Sequence, residues 1–325
     1  MKLTVLIAVA ALVGGCAMTA PAPRPAIDLE AHRGGRALMP ENTLAAFANA
    51  IDMGVTTLEL DIGLTADDVV VISHDTSLNP DHTRNAQGSF LTAKGPAIRT
   101  LTLAQLQTYD VGRIDPDSNY GKAFPKQLVQ DGERIPTLAS LFERVRAMGA
   151  DQVRFNIETK VDPTQPDETA SPEQMVHALL AEIDKAGMAQ RVTIQSFDWR
   201  TLALVRDQAP QIERAYLTTA RTLRDSRWTS GLRIDDFGSA PRLVKAAAGD
   251  SASKIIWSPA FKELTPELLK EAHALGLRVL PWTVNERADM TRLIDWGVDG
   301  IITDDPAILR DVMTEKNMPL PPRGH

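Results

Sequence analysis

Glu59-Leu60-Asp61 is the sharpest local feature of the sequence. Successive side chains of a strand alternate between faces, so residues i and i+2 enter the same space and this tripeptide delivers two carboxylates there. Two inward carboxylates are costly to bury unless something compensates their charge. A divalent cation is one compensator, and Glu158, at the end of a neighbouring apolar run, supplies a third oxygen ligand. An all-carboxylate site without cysteine favours a hard cation, Mg2+ or Ca2+, over zinc. The other compensator is a salt-bridge network with Arg33 and Lys160. The carboxylates alone leave both open.

His32 and His74 tip the balance, because each follows an apolar run and both flank the carboxylates. Imidazole titrates near neutrality, so a pair of them serves as base and acid in one turnover. Arg33 and Lys160 add cations suited to a phosphate. A metal, two histidines and two cations around one point meet the needs of phosphodiester cleavage: an activated oxygen, neutralised transition-state charge and a protonated leaving alkoxide. The remaining histidines, His82, His177, His273 and His325, read as inert by their positions in an insertion, on helices and at the terminus.

The elements that must position these groups follow from hydropathy. Short apolar runs recur at 27–31, 55–62, 69–73, 152–157, 191–195, 212–217, 254–257, 277–282 and 299–302. Helical patterns lie between most of them, at Thr43–Met53, Leu138–Met148, Pro172–Ala186, Trp199–Gln208, Pro266–Leu275 and Arg287–Trp296. That alternation predicts parallel βαβ units. The second and third runs are joined by four residues only, Thr65 to Asp68, which makes an antiparallel hairpin. The third run therefore lies outside the wall, and eight strands remain for an α/β (β/α)8 TIM barrel. A turn centred on Ala66-Asp67 gives paired positions summing to about 133, which sets His74 opposite Glu59. His32, Glu59, Asp61, Glu158, Gln195, Trp282 and Asp304 then gather at the carboxyl ends of the strands, where this architecture places its chemistry. Residues 76–135 form a long insertion on that side, expected to cap the entrance, with one helix at Leu101–Tyr109.

Composition bounds the rest. A 43% hydrophobic share supplies an ample core, and a net charge of −7 with a pI of about 5.5 argues against a nucleic-acid partner. At the start, Lys2 and the uncharged run Leu3–Val13 have the form of a secretory signal, too short to span a bilayer. Val13-Gly14-Gly15-Cys16 resembles the bacterial lipobox, and Cys16 is the sole cysteine. The expected organisation is a signal peptide at 1–15 and a lipidated Cys16 with a Pro/Ala tether through 26. A barrel domain at 27–315 follows, then a frayed tail at 316–325. The expected location is the bacterial cell envelope, as a periplasm-facing lipoprotein whose membrane contact is the anchor.

Ala31-His32-Arg33-Gly34-Gly35, Pro40-Glu41-Asn42-Thr43, Glu59-Leu60-Asp61 and His74-Asp75 together resemble the glycerophosphodiester phosphodiesterase family. So do Glu158-Thr159-Lys160, Gln195-Ser196-Phe197, Trp282-Thr283-Val284-Asn285 and the run Asp299 to Asp304. The resemblance spans about residues 29–310. It implies a TIM barrel that hydrolyses small-molecule glycerophosphodiesters to glycerol 3-phosphate and an alcohol with one Ca2+ or Mg2+. By the same resemblance, Glu59, Asp61 and Glu158 are metal ligands and His32 and His74 the acid–base pair. Arg33 and Lys160 contact phosphate, Trp282 packs on the glycerol, and Asn42 both caps a helix and stands near the substrate. The attacking oxygen is water or a neighbouring hydroxyl of the substrate itself. A lysophospholipase D-like enzyme of the same superfamily is the alternative activity, and a lipid-anchored phosphodiester-binding protein the alternative class.

Overall fold

Alternation along the apolar runs separates two environments. Leu58, Leu60 and Ile62 join Phe47, Leu141 and Val145 in the main core between strands and helices. Their odd-numbered neighbours Glu59 and Asp61 turn to the barrel interior, whose own apolar cluster is only Ala215, Ile256 and Leu280. The computed structural model describes residues 26–249 and 254–324. The expected signal peptide, Cys16 and nearly all of the expected tether lie outside the described residues.

Nine strands form one sheet: β1 (Asp28–Ala31), β2 (Thr57–Leu64), β3 (Val70–Ile72), β4 (Arg154–Thr159), β5 (Val192–Ser196), β6 (Glu213–Thr218), β7 (Ile255–Pro259), β8 (Arg278–Val279) and β9 (Gly300–Thr303). The order is β8-β7-β6-β5-β4-β2-β1-β9, with β3 paired to β2 alone. All eight wall strands run parallel. Between β8 and β9 the contact narrows to single bonds, Ile302 N to Pro281 O at 3.1 Å and Val284 N to Ile302 O at 3.0 Å. This is the expected (β/α)8 barrel. The apolar run 277–282 yields a strand of only two residues because Pro281 has no N–H to donate.

Each of the six helical patterns anticipated between the strands is present, within a residue at either end. Helix Leu44–Met53 shows why the ends are sharp: the Thr43 hydroxyl accepts from Ala46 N, and Gly54 closes the last turn at φ 83°. The helical patterns did not include Ala240–Ala248, capped by Ser239, or Pro306–Glu315, capped by Asp305.

The hairpin corrects the expected register. Ile62 faces Ile72 and Leu64 faces Val70, so positions sum to 134. The cause is Asp68, whose φ of 57° makes the turn one residue longer than supposed. His74 is therefore not opposite Glu59; it lies past the end of β3, where the chain bends after Ser73 N bonds Asp61 O.

The insertion has a small core of its own, Val71, Leu78, Ile98, Leu106, Val111 and Ile135. Its helices are Leu103–Leu106, shorter than expected, and Asn119–Ala123. It sits on the carboxyl-end face: Leu128 N bonds Leu38 O, Gln127 Nε2 bonds Arg36 O, and the Tyr120 hydroxyl donates to Glu41. The tail is docked rather than frayed. Met318 is buried, Arg310 donates to Pro321 O, and Gly324 N bonds Ile51 O.

Candidate active site

The turn after β1 is set by packing. At Gly34, φ is 80° and a Cβ would meet the Ala46 Cβ at 2.8 Å, so only glycine lets this turn lie on helix Leu44–Met53. Arg33 beside it is left-handed, at φ 51°. Its N–H points at Glu59 Oε2, 2.8 Å away. Its guanidinium grips Glu41 at 3.0 and 3.1 Å, with Nε 3.5 Å from Asp61. Asn42, also left-handed, donates to Asp61 Oδ2 at 3.0 Å. The buried Asn42 thus holds a triad carboxylate through Nδ2 while its Oδ1 accepts no hydrogen bond, and the cap of the helix falls to Thr43.

Parallel register places Asp61 beside Glu158. Oxygens of Glu59, Asp61 and Glu158 all lie within 4.8 Å of one another. Lys160 Nζ is 2.8 Å from Glu158 and 3.4 Å from Asp61. Glu59 has no such cation; besides Arg33 N it accepts from Gln195 Nε2 at 2.6 Å. Gln195 is oriented in turn by Asn156, which donates to it at 3.2 Å and to the buried Glu30 at 2.7 Å.

Both compensators considered for the carboxylates are thus built in part. Five carboxylates (Glu41, Glu59, Asp61, Glu158, Asp304) face three cations (Arg33, Arg36, Lys160), which leaves two negative charges when all are ionised. Burial, with Asp61 and Glu158 adding repulsion, raises Glu59 well above the usual carboxylate range. Burial also raises Glu158 to about 7 despite Lys160. Burial works against ionised Asp61 too, but Lys160, His74 and Arg33 hold it low. Its Oδ1 accepts no hydrogen bond. Three hard oxygen donors, an unsatisfied oxygen and a deficit of two positive charges fit a divalent cation.

Each imidazole is backed by a carboxylate. His32 Nδ1 lies 2.5 Å from Asp304 Oδ1, and Asp304 is held by Arg36 Nε at 2.7 Å and Asn285 Nδ2 at 2.7 Å. His74 Nδ1 lies 2.8 Å from Asp75, itself held by Asn79 at 2.7 Å. In spite of the altered register, His74 lines the same cavity as His32, Arg33, Glu59, Glu158 and Lys160. Burial is the main cause that lowers both histidines; Arg33 and Arg36 add to it at His32, and Lys160 and Arg33 at His74, which falls to about 4. With Asp304 and Asp75 both ionised, Nδ1 carries the proton in each ring and Nε2 is left as the basic nitrogen.

Trp282 and Phe197 form the apolar wall, their rings edge to face at 5.3 Å. Arg36, Glu41, Asp75 and His82 were not singled out as site residues. Arg36 is wedged between Asp304 and the rings of Tyr120 and Phe124, and His82 Nε2 sits 3.6 Å from Asp75. His82, read from the sequence as inert, comes in with the folded insertion, whereas Arg36 and Glu41 belong to the segment after β1 and Asp75 follows His74 directly.

Residues 32–308 match the model of the glycerophosphoryl diester phosphodiesterase family. The chain belongs to that family. A glycerophosphodiester phosphodiesterase of Caldanaerobacter subterraneus subsp. tengcongensis is 30% identical over 86% of this chain and 94% of its own. A protein of Silicibacter pomeroyi assigned as a glycerophosphoryl diester phosphodiesterase has a crystal structure that superposes with a TM-score of 0.81 at 36% identity, covering 91% of this chain and 96% of that one. A phosphodiesterase of Oleispira antarctica, solved with sn-glycerol-3-phosphate, shares the fold at a TM-score of 0.63 and 23% identity, covering 88% of this chain and 96% of that one. The chain is accordingly a glycerophosphodiester phosphodiesterase of a divalent-metal-dependent family, and its acidic triad is Glu59, Asp61 and Glu158.

Proposed function

We propose that the protein hydrolyses glycerophosphodiesters to glycerol 3-phosphate and an alcohol, with His32 and His74 as its acid–base pair. The observation that carries this reading is the clustering of three carboxylates with two carboxylate-backed imidazoles in one cavity. One divalent cation, Ca2+ or Mg2+, held by Glu59, Asp61 and Glu158, would neutralise phosphoryl charge when bound. Lys160 and Arg33 add positive charge on the same side. Asn42, Gln195 and the Arg33 N–H orient the ligand carboxylates, and Trp282 offers an apolar face to the glycerol carbons. Nε2 of one histidine takes the proton of the attacking oxygen, and the other histidine, entering the step as an imidazolium protonated at Nε2 as well as Nδ1, gives its Nε2 proton to the leaving alkoxide. The product seen with the Oleispira relative, sn-glycerol-3-phosphate, agrees with that cleavage.

The test is glycerol 3-phosphate release by wild type, His32→Ala, His74→Ala and the double variant. Each single substitution should lower kcat by about 100- to 10,000-fold. The double should be little worse than the worse single, because groups that act as a unit are not additive. Near-wild-type rates in both singles would make the histidines structural and sink the mechanism. We also propose that Cys16 is lipidated and holds the enzyme on the periplasmic side of a bacterial membrane, on the strength of the Val13–Cys16 motif.

A further inference from the structure

A phosphodiester has two ester arms, and the cavity around the triad opens in two directions. The space already described holds His32, Arg33 and Glu59. A second, open cleft shares the wall of His74, Glu158, Lys160, Phe197 and Trp282 and is larger, with about 770 Å³ of space, open mouth included, against about 490 Å³ for the first. Its far end is built by the segment after β6, with Thr219, Arg221, Thr222 and Trp228. With glycerol on the inner side, the alcohol must extend into this second cleft.

The charges in the cleft are unequal in availability. Asp162 lines it, but its oxygens already accept from Thr164 N at 2.7 Å, Thr164 Oγ1 at 2.6 Å and Gln165 Nε2 at 3.2 Å. Lys160 is committed to Glu158 and Asp61. Arg221 is different. Among the described residues no side-chain hydrogen bond or ion pair engages its guanidinium, which rests 5.6 Å over the ring of buried Trp228; the nearby Asp225 carboxylate is taken up by Arg227. Trp228 is braced edge-on by Phe197 at 6.5 Å. Arg221 is exposed, and a guanidinium resting over a ring leaves its N–H groups free for an incoming carboxylate or phosphate. The same cation disfavours an ammonium group in the cleft.

We infer that this cleft binds the alcohol half of the diester and selects alcohols that bear a second anion, through Arg221. The inference rests on the proposed hydrolytic activity. It also assigns His74, which lines this cleft while His32 does not, to the leaving oxygen.

The experiment uses four glycerophosphodiesters whose leaving butanols end in hydroxyl, carboxylate, phosphate or ammonium, with glycerol 3-phosphate release as the readout. Wild type should show the highest kcat/KM on an anionic diester and the lowest on the ammonium one. The carboxylate and phosphate arms reveal which anion is preferred. Arg221→Gln should lower the anionic-to-hydroxyl ratio by about five-fold, the range of a charged hydrogen bond discounted for solvent exposure. Arg221→Lys should retain part of the preference. Equal rates on all four, a preference for ammonium, or a ratio unmoved in Arg221→Gln would overturn the assignment and leave the activity standing. Release from none of them would remove the activity reading and this inference with it.

Discussion

Stripping the divalent cation leaves Glu158 as a buried carboxyl beside Asp61, and the structure sets the cost. Burial, reinforced by Asp61 and opposed by Lys160, lifts Glu158 from 4.5 to about 7. One pKa unit corresponds to ~1.4 kcal/mol, so the gap is worth about 3 kcal/mol. The folded chain then binds this proton more tightly than the unfolded chain does. The associated stability is complete below about pH 4.5 and lost as pH rises through about 7. A bound cation removes the need for the proton and gains affinity as the carboxylates ionise. The stability difference between cation-saturated and chelator-treated protein should therefore widen by about 3 kcal/mol between roughly pH 5 and 8. Urea unfolding at several pH values, in excess Mg2+ or Ca2+ and in chelator, measures it; titrations away from the cluster cancel in the difference, and Glu59, also raised well above the usual carboxylate range, adds to the widening. A difference independent of pH would mean that Arg33 and Lys160 already neutralise the cluster, leaving it a structural salt-bridge network.

Other expectations follow from the same geometry. Gln195→Leu removes the donor to Glu59 Oε1 and should weaken cation affinity about 10- to 100-fold by calorimetry, the usual effect of losing a partner behind a ligand. His74→Ala should impair hydrolysis of alkyl diesters far more than of a p-nitrophenyl diester, whose phenoxide needs no proton; equal losses on both in steady-state kinetics would remove His74 from the leaving-group side. Cys16→Ser should move the protein from the membrane to the soluble periplasmic fraction, whereas unchanged fractionation or an unmodified N-terminus by mass spectrometry would refute the anchor.

What could be read from the sequence was the part governed by local alternation. Glu59 and Asp61 share a face because side chains alternate along a strand, and Glu158 joins them because a parallel neighbour in register places Asp61 beside it. The barrel followed from eight such strands with helices between them. The hairpin register was missed by one residue because Asp68 takes a left-handed conformation that hydropathy does not encode. Arg36, Glu41 and His82 were passed over for a different reason. Arg36 meets Asp304 and Glu41 meets Arg33 only through the tertiary fold, and Tyr120 and Phe124 reach them, like His82 its Asp75, only once the insertion has packed on the barrel mouth. Helix Ala240–Ala248 carried a usable signal in Ser239 and Pro241 at its start, but the docked tail did not. Arg310 secures that tail by donating to the carbonyls of Gly54 and Pro321, contacts no periodicity announces.

The central claim is that a cation on Glu59, Asp61 and Glu158 enables diester hydrolysis. The direct measurement is glycerol 3-phosphate release from a glycerophosphodiester by wild type and Glu59→Gln, after exhaustive chelation and after Mg2+ or Ca2+ is restored. Chelated wild type should be inactive and recover with one of the two ions, while Glu59→Gln should require a higher ion concentration. Full activity of the chelated wild type would contradict the account.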